Sequence, residues 1–460
     1  MILIAIVLLG ATPSPSEYIE SIKEAPVLTL VEAERLAVSE NFDIRIARER
    51  LERSALLSRQ AYGVVLPTVN ANYNLVRNNQ QIELLIPGAP EPVVIQQRWQ
   101  QNASLSFDWT VLSGRSLPLI LNAYDAVDQS VFEYEQQREV LVYTTSLAYY
   151  NALTADRTVE IRTRALEISK RNAELASAQA ELGSATSVDR LRAEVAVATA
   201  EQELIQSQIQ KVIADRSLAI LINRVDAKGK IIAFRLERPP EPEVDTVDLL
   251  DDALEQRFDL KLRELDLSIA ERLVTESYTK FLPELVISGA RNWSDVGGFA
   301  GNNTTWLVTF GAQWTIFDGS QRIWEVAQRR YDVETAAIAI EQQRVQIADG
   351  VEQSQLNLAN AESNFAAATR RAELARKSAE LAQAQFEVGA ATQLEVLDAN
   401  RSLADAEAQE ALGQLSVDLA RVELQRVRLI DPAGTGGAPT APAQSATEAL
   451  TASVAGGAPP

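Results

Sequence analysis

The chain has no cysteine, no histidine and a single methionine. Disulfides, thiolate chemistry, the usual zinc and copper sites and every histidine-based triad are thereby excluded. The acylated cysteine of a bacterial lipoprotein is excluded with them. Proline informs by its distribution: none occurs between Pro118 and Pro239, nor between Pro283 and Pro432. Helices can run through such stretches without the break that proline imposes. Basic residues are scarce, 43 Lys and Arg against 63 Asp and Glu, so the formal net charge is −20. A nucleic-acid partner needs a basic face, which this balance disfavours. No Gly-rich phosphate loop, nucleophile elbow or metal-ligand cluster is present, so the sequence implies no enzyme and no cofactor. Long apolar runs are missing too. Ile2–Gly10, followed by ATPSPSE, is too short to span a bilayer as a helix. It reads as the apolar part of an export signal over residues 1–16, though without a basic segment before it. If this chain crosses a membrane, it does so as strands.

What the chain does contain is a copy of its own first half. LGSATSVDRLRA at Leu182–Ala193 returns as VGAATQLEVLDA at Val388–Ala399, with Gly183 and Gly389 separated by 206 residues. Upstream, Asp43–Val69 aligns with Asp259–Leu285 without a gap at an offset of 216. There FDIRIARERL answers FDLKLRELDL and YGVVLPTV answers YTKFLPEL. Self-similarity on this scale marks two copies of one structural unit. Both copies are helical in composition and stop at Leu66-Pro67 and Leu282-Pro283.

Beyond each proline the apolar period changes from 3.6 to 2. Val69, Ala71, Tyr73 and Leu75 alternate with Thr68, Asn70, Asn72 and Asn74. After a polar loop (Asn78 to Gln101), Ala103, Leu105, Phe107, Trp109 and Val111 alternate with Asn102, Ser104, Ser106, Asp108 and Thr110. The second copy repeats this with Leu285 and Ile287, a loop Ser294–Asn303, and Val308, Phe310, Ala312, Trp314 and Ile316 set against Thr309, Gly311, Gln313 and Thr315. The expected strands are about 68–78, 102–112, 284–293 and 304–317. Apolar on one face and polar on the other, they suit a transmembrane barrel, although a soluble β-sandwich would use the same pattern. Four strands cannot close a barrel, so the membrane reading requires oligomerisation.

A helix of roughly 100 Å at 1.5 Å per residue is expected from Arg115 to Leu182, and a similar one up to Val388. Each returns after a turn, at 183–186 and at 389–392, to about Arg224 and Ile430. Val188, Leu191, Val195 and Ala198 are spaced 3-4-3, as are Leu412, Leu415, Leu419 and Val422, which is a coiled-coil seam. Ala372, Ala375, Ala379 and Ala382 would let helices approach closely. Glycine suits the turns, with Thr186 and Thr392 as N-caps and Asp189 and Glu395 as capping-box partners. The layout is a first repeat over 17–224, a linker over 225–246, a second repeat over 247–430 and a disordered tail over 431–460.

The two tip motifs, the two Leu-Pro junctions and their doubled arrangement make the chain resemble TolC-type outer membrane efflux factors over about residues 25 to 430. The resemblance implies a mainly α protein with a membrane β-barrel. Long antiparallel α-helical hairpins would form an α-barrel in the periplasm, and each protomer of a homotrimer would give four β-strands to a shared twelve-stranded barrel. It implies no catalysis, with a periplasmic adaptor, an inner-membrane transporter and outer membrane lipid as partners. Leu105, Phe107, Trp109, Phe310 and Trp314 would meet lipid, while Asn102, Ser104, Thr309 and Gln313 would line a wet lumen. An ordinary packed core remains the alternative for the two tryptophans. Leu182, Gly183, Thr186, Val388, Gly389 and Thr392 would dock the adaptor. Asp189, Glu395 and Asp398 would belong to the entrance, the latter two as acidic rings; a plain capping box is their alternative. An arginine and a tyrosine that latch the entrance in such proteins correspond here to Ala391 and Phe386, so that latch cannot form. The rival reading is a periplasmic adaptor or coiled-coil scaffold without a barrel.

Overall fold

The structure is a computed structural model and describes residues 15–84, 92–182, 185–226, 229–239, 249–296 and 302–427. Most of the export segment, Gly183 of the first turn, part of the linker and the tail 431–460 lie outside the described residues. The first repeat holds α1 (Pro15–Ile22), β1 (Val27–Leu28), α2 (Leu30–Glu40), α3 (Phe42–Ala61), β2 (Thr68–Arg77), β3 (Ile82–Leu84), β4 (Val93–Gln96), β5 (Trp99–Leu112), α4 (Ser116–Glu181) and α5 (Ser187–Leu221). After β6 (Arg235–Leu236) come α6 (Leu249–Gln256), α7 (Phe258–Thr279), β7 (Glu284–Ser294), β8 (Thr304–Gln313), α8 (Gln321–Glu387) and α9 (Gln393–Val427). Two compact units result, one from 15–48, 134–258 and 344–427, the other from 49–133 and 259–343.

The long helices are as the proline distribution requires. α4 has 66 residues and α8 has 67. Pro118 falls in the first turn of α4, where its missing N–H leaves no bond unmade. Within the first unit α5 runs back along α4: Lys170 pairs with Glu201 at 3.2 Å, Arg162 with Glu203 at 2.9 Å, and Lys211 Nζ donates to the Ala152 carbonyl at 3.4 Å. α9 returns along α8, with Arg376 on Glu407 at 2.8 Å and Arg421 on Glu362 at 3.6 Å. Alanine fills these contacts: Ala176, Ala193, Ala200, Ala372, Ala379, Ala404 and Ala406 are buried.

The heptad expectation needs correcting here. Val188, Leu191 and Val195 are 52%, 54% and 65% exposed, and Ala198 is exposed too. The buried residues of α5 are instead Ala193, Ala200, Ser207, Lys211, Asp215 and Leu218. The apolar row instead borders a groove that it shares with Ile161, Ala165 and Ile168 of α4. On α9 Leu412 is exposed while Val422 is buried. The linker is also more structured than its composition suggests. β6 pairs in parallel with β1, Ile231 and Phe234 are buried, and Arg238 pairs with Asp418 at 2.8 Å. Tyr149 ties this corner together by donating to the carbonyl of Leu28 at 2.9 Å.

A buried charge cluster holds α1 to this unit. Lys211 and Asp215, one turn apart on α5 and 2% and 0% exposed, pair at 2.8 Å. Tyr18 donates its hydroxyl to the other Asp215 oxygen at 3.2 Å, and Asp156 lies 3.7 Å from Lys211. Burial pushes the Asp215 carboxyl from the ordinary 3.8 up to about 6, against the pull of Lys211, and it also raises the Tyr18 phenol. Between those two pH values the folded state binds the additional proton, so the stability contributed by Asp215 falls as pH rises.

The second unit holds a four-stranded antiparallel sheet in the order β2-β5-β7-β8. Its rows can be read across the register: Val69–Phe107–Gly289–Val308, then Ala71–Leu105–Arg291–Trp306, then Tyr73–Ala103–Trp293–Thr304. Asn70, Ser106, Ser288 and Thr309 belong to the opposite, polar face. Three strand expectations are met to within a few residues. The fourth overran, since β8 stops at Gln313 and Trp314 and Ile316 lie outside the ladder. The reason is Pro283, which has no N–H to offer, so β7 opens at Glu284 and the last pair is Glu284 with Gln313. The expected loop Asn78 to Gln101 also contains the short pair β3–β4.

Removing the cation from the buried cluster should be costly. Lys211→Met is expected to lose about 3–5 kcal/mol at neutral pH by stranding Asp215, and Lys211→Met with Asp215→Leu should recover most of it. Chemical denaturation followed by the helical signal checks this. The single variant's deficit should shrink as pH falls towards 5, because a protonated Asp215 needs no cation.

Candidate functional site: the hairpin tips and the amphipathic sheet

The described residues of the two hairpin turns share much of their local chemistry. After α8, Gly389 takes φ +76°, a left-handed conformation that glycine adopts at little cost. Its N–H donates to the Phe386 carbonyl at 3.0 Å, and the N–H of Ala390 donates to Gln385 at 2.7 Å. This is the Schellman arrangement, which satisfies carbonyls left open at a helix end. Ala391 N–H also reaches Gln385 O, at 3.2 Å, and Ala185 N–H makes the equivalent bond to Gln179 O at 3.2 Å in the first repeat. Both following helices open with a capping box. Thr186 Oγ1 accepts from Asp189 N–H at 3.2 Å while Asp189 accepts from Thr186 N–H at 3.2 Å. Thr392 Oγ1 accepts from Glu395 N–H at 3.4 Å, and Glu395 accepts from Thr392 N–H at 2.7 Å.

These bonds fix what the acidic residues can do. Hydrogen bonds from the Thr186 hydroxyl and N–H hold the Asp189 carboxyl below its ordinary value. Those from Thr392, the backbone N–H foremost, do the same for Glu395. Both carboxylates therefore stay ionised and turned onto their own caps. Asp398 is exposed and borders a groove of about 680 Å³ that Val188, Leu191 and Val195 share with Leu394 and Leu397. The rejected coiled-coil row thus faces the start of α9. At the turns, Leu182 and Val388 are 84% and 79% exposed, so nothing in the protomer covers them.

In the second unit, the sheet is anchored by two indoles that the sequence reading gave to lipid, with a packed core as the alternative. Trp109 Nε1 donates to the Val65 carbonyl at 3.0 Å, and Trp314 Nε1 donates to the Phe281 carbonyl at 3.0 Å. Val65 and Phe281 are repeat equivalents, each two residues before the junction proline. Each Trp so satisfies a carbonyl where helix gives way to strand, leaving its ring against the apolar face. Leu105 and Phe310 are 53% and 77% exposed, while Phe107 is half-buried with its ring over Gly289, where a Cβ would collide with it.

Two hairpins, two junctions and one amphipathic ribbon per chain match a single known pattern. The model of outer membrane efflux proteins fits residues 35–224 and 249–427. The chain belongs to the outer membrane efflux protein family. No curated protein matches it in sequence. In fold it resembles a membrane protein from Pseudomonas aeruginosa, at 20% identity and TM-score 0.72 over 87% of this chain and 93% of that one. It also resembles the CmeC outer membrane channel of Campylobacter jejuni, at 16% identity and TM-score 0.72 over 87% and 85%. VceC, an outer membrane protein of Vibrio cholerae, agrees at 15% identity and TM-score 0.69 over 91% and 99%. The fold is therefore that of TolC-like channels, helical barrel and β-barrel together. This efflux channel resides in the bacterial outer membrane with its helices in the periplasm, and the adaptor reading is not favoured. Channels of tripartite pumps work with a periplasmic adaptor and an inner-membrane transporter.

Phe107 stands in the middle row of the apolar face. Phe107→Lys should cost about 2–4 kcal/mol if that row sits near the bilayer midplane. Assembly yield after detergent extraction would read the loss, and a normal yield would contradict the placement.

Proposed function

We propose that three copies of this chain pool their ribbons into a twelve-stranded barrel, making one exit duct for cargo delivered by an inner-membrane pump. The observation that carries this is the pair of open edges. β2 and β8 are each ten residues long and exposed throughout, with partners on one side only. Unpaired backbone of that length is not tolerated in hydrocarbon, and closure removes it. In that barrel Leu105, Phe107, Trp109 and Phe310 face lipid, with Trp314 just past its strand at the interface. Asn102, Ser104, Thr309 and Gln313 line the water.

The tips are the docking end. Leu182, Thr186, Val388, Gly389 and Thr392 would receive the helical hairpin of an adaptor, and Gly183, outside the described residues, is assigned with them from the sequence. The entrance is gated below them. Asp189 and Glu395 serve chiefly as caps, and Asp398 is the carboxylate free to form a threefold ring. Close like charges in such a ring recruit a cation.

Two measurements test this reading. Gly389→Pro should leave a detergent-stable trimer yet abolish export, since proline can neither take φ +76° nor donate to Phe386. Undiminished drug tolerance in cells carrying it would refute the docking role, and a wild-type chain recovered as a monomer without detergent would refute the duct. Asp398→Asn should relieve divalent-cation block of single-channel current, and an unchanged block would remove the ring.

A further inference from the structure

Charge is sorted by sign across the ribbon. The polar face carries Asp108 and Glu284, whereas the ionisable residues of the apolar face are Arg77 and Arg291. Arg77 sits at the strand end with its guanidinium 5.2 Å from the Trp99 ring centroid. Arg291 lies deeper, in the row Ala71–Leu105–Arg291–Trp306, and is exposed. Among the described residues of the ladder, no acidic one shares its face. A guanidinium among lipid-facing side chains is costly unless it meets an anion.

The surface beside Arg291 has a shape to match. Gly289 and the Phe107 ring over it form the floor of a groove of about 440 Å³, walled by Val69, Leu105, Trp306 and Val308, with Arg291 on its rim. Arg291 is in the row nearer the loops, and the next row outward holds Tyr73 and Trp293, aromatic residues suited to a headgroup boundary. An apolar trough thus ends at a cation one row short of the aromatic Tyr73–Trp293 row. A free anion would make no use of the trough, and an uncharged lipid would make no use of the cation.

We propose that this groove binds one anionic, phosphate-bearing lipid of the leaflet at the loop end of the ribbon. An acyl chain lies along the Gly289 depression, and the headgroup phosphate accepts hydrogen bonds from the Arg291 guanidinium beside Trp306. Guanidinium and phosphate pair bidentately, which a lysine cannot reproduce. This site rests on the reading that the apolar face meets the bilayer.

The test uses the full-length assembled channel and lipid A as probe, followed by native mass spectrometry. The expected result is one lipid A per protomer, weakened roughly tenfold by Arg291→Gln. Arg77→Gln should leave binding unchanged, and inorganic phosphate should not compete. Should Arg291→Gln fail to assemble, Arg291→Lys carries the test with an intermediate weakening. Unchanged lipid A affinity in these variants, or full displacement by inorganic phosphate, would overturn the proposal. A label on Val308→Cys, unique in a chain without native cysteine, separates the two layers of inference. Quenching of that label by brominated acyl chains together with intact lipid A affinity in Arg291→Gln sinks the site alone. An unquenched label sinks the lipid-facing assignment, and the site with it.

Discussion

An unpaired strand edge in hydrocarbon has no water to turn to, and much of this chain follows from that constraint. A protomer makes one antiparallel ribbon, β2-β5-β7-β8, and each outer strand leaves a side of its backbone unmet. Within the chain no further strand of that length is available to close the circle: among the described residues the other strands are two to four residues long. In the proposed assembly the remedy comes from other copies. The repeat serves the same end, because doubling one helix–strand–strand–helix unit supplies matched strand pairs from a single gene.

Where sequence and structure agree, a strong local rule was involved. The Leu-Pro junctions mark the change of period because proline both ends a helix and withholds a ladder donor. The tip turns were legible because a left-handed glycine and a Thr-x-x-acid box have few other uses in a run of helix formers. Long helices were legible from the spacing of prolines alone. Their faces were not. A 3-4-3 row such as Val188, Leu191 and Val195 shows that a helix has an apolar stripe, without showing which neighbour meets it. Here the small residues of α5 are the buried ones, and the stripe lines a groove with Ile161 and Ile168 of α4 and with Leu394 and Leu397.

Other features depend on partners far apart in the chain, and local patterning is silent on those. Lys211 and Asp215 look like a solvated i,i+4 pair, and only the arrival of Tyr18 and the α4 backbone makes them a buried cluster. The stop of β8 at Gln313 is set by Pro283, thirty residues earlier, through the register of β7. The indole anchors belong to the same class. Trp109 and Trp314 were assigned to the apolar face by alternation, yet each also closes a carbonyl near a junction proline. That pairing recurs across the 216-residue offset in carbonyl position although the acceptors differ, Val65 and Phe281, since a backbone acceptor places no demand on its side chain.

The tips show how one residue type can carry two duties, and which duty wins. A carboxylate three residues after an N-cap threonine is drawn to the free N–H groups of the first turn, with the helix dipole favouring its negative charge. Asp189 and Glu395 have yielded to that attraction, which lowers their pKa rather than raising it. Within the protomer, these caps occupy both carboxylates. Asp398, a turn further on, escapes the cap, and its repeat equivalent is Arg192, already drawn to Asp189 at 3.5 Å. The two hairpins therefore differ in sign one helical turn beyond matching capping boxes. That difference arose after the doubling, since a plain copy would have carried the same sign on both hairpins.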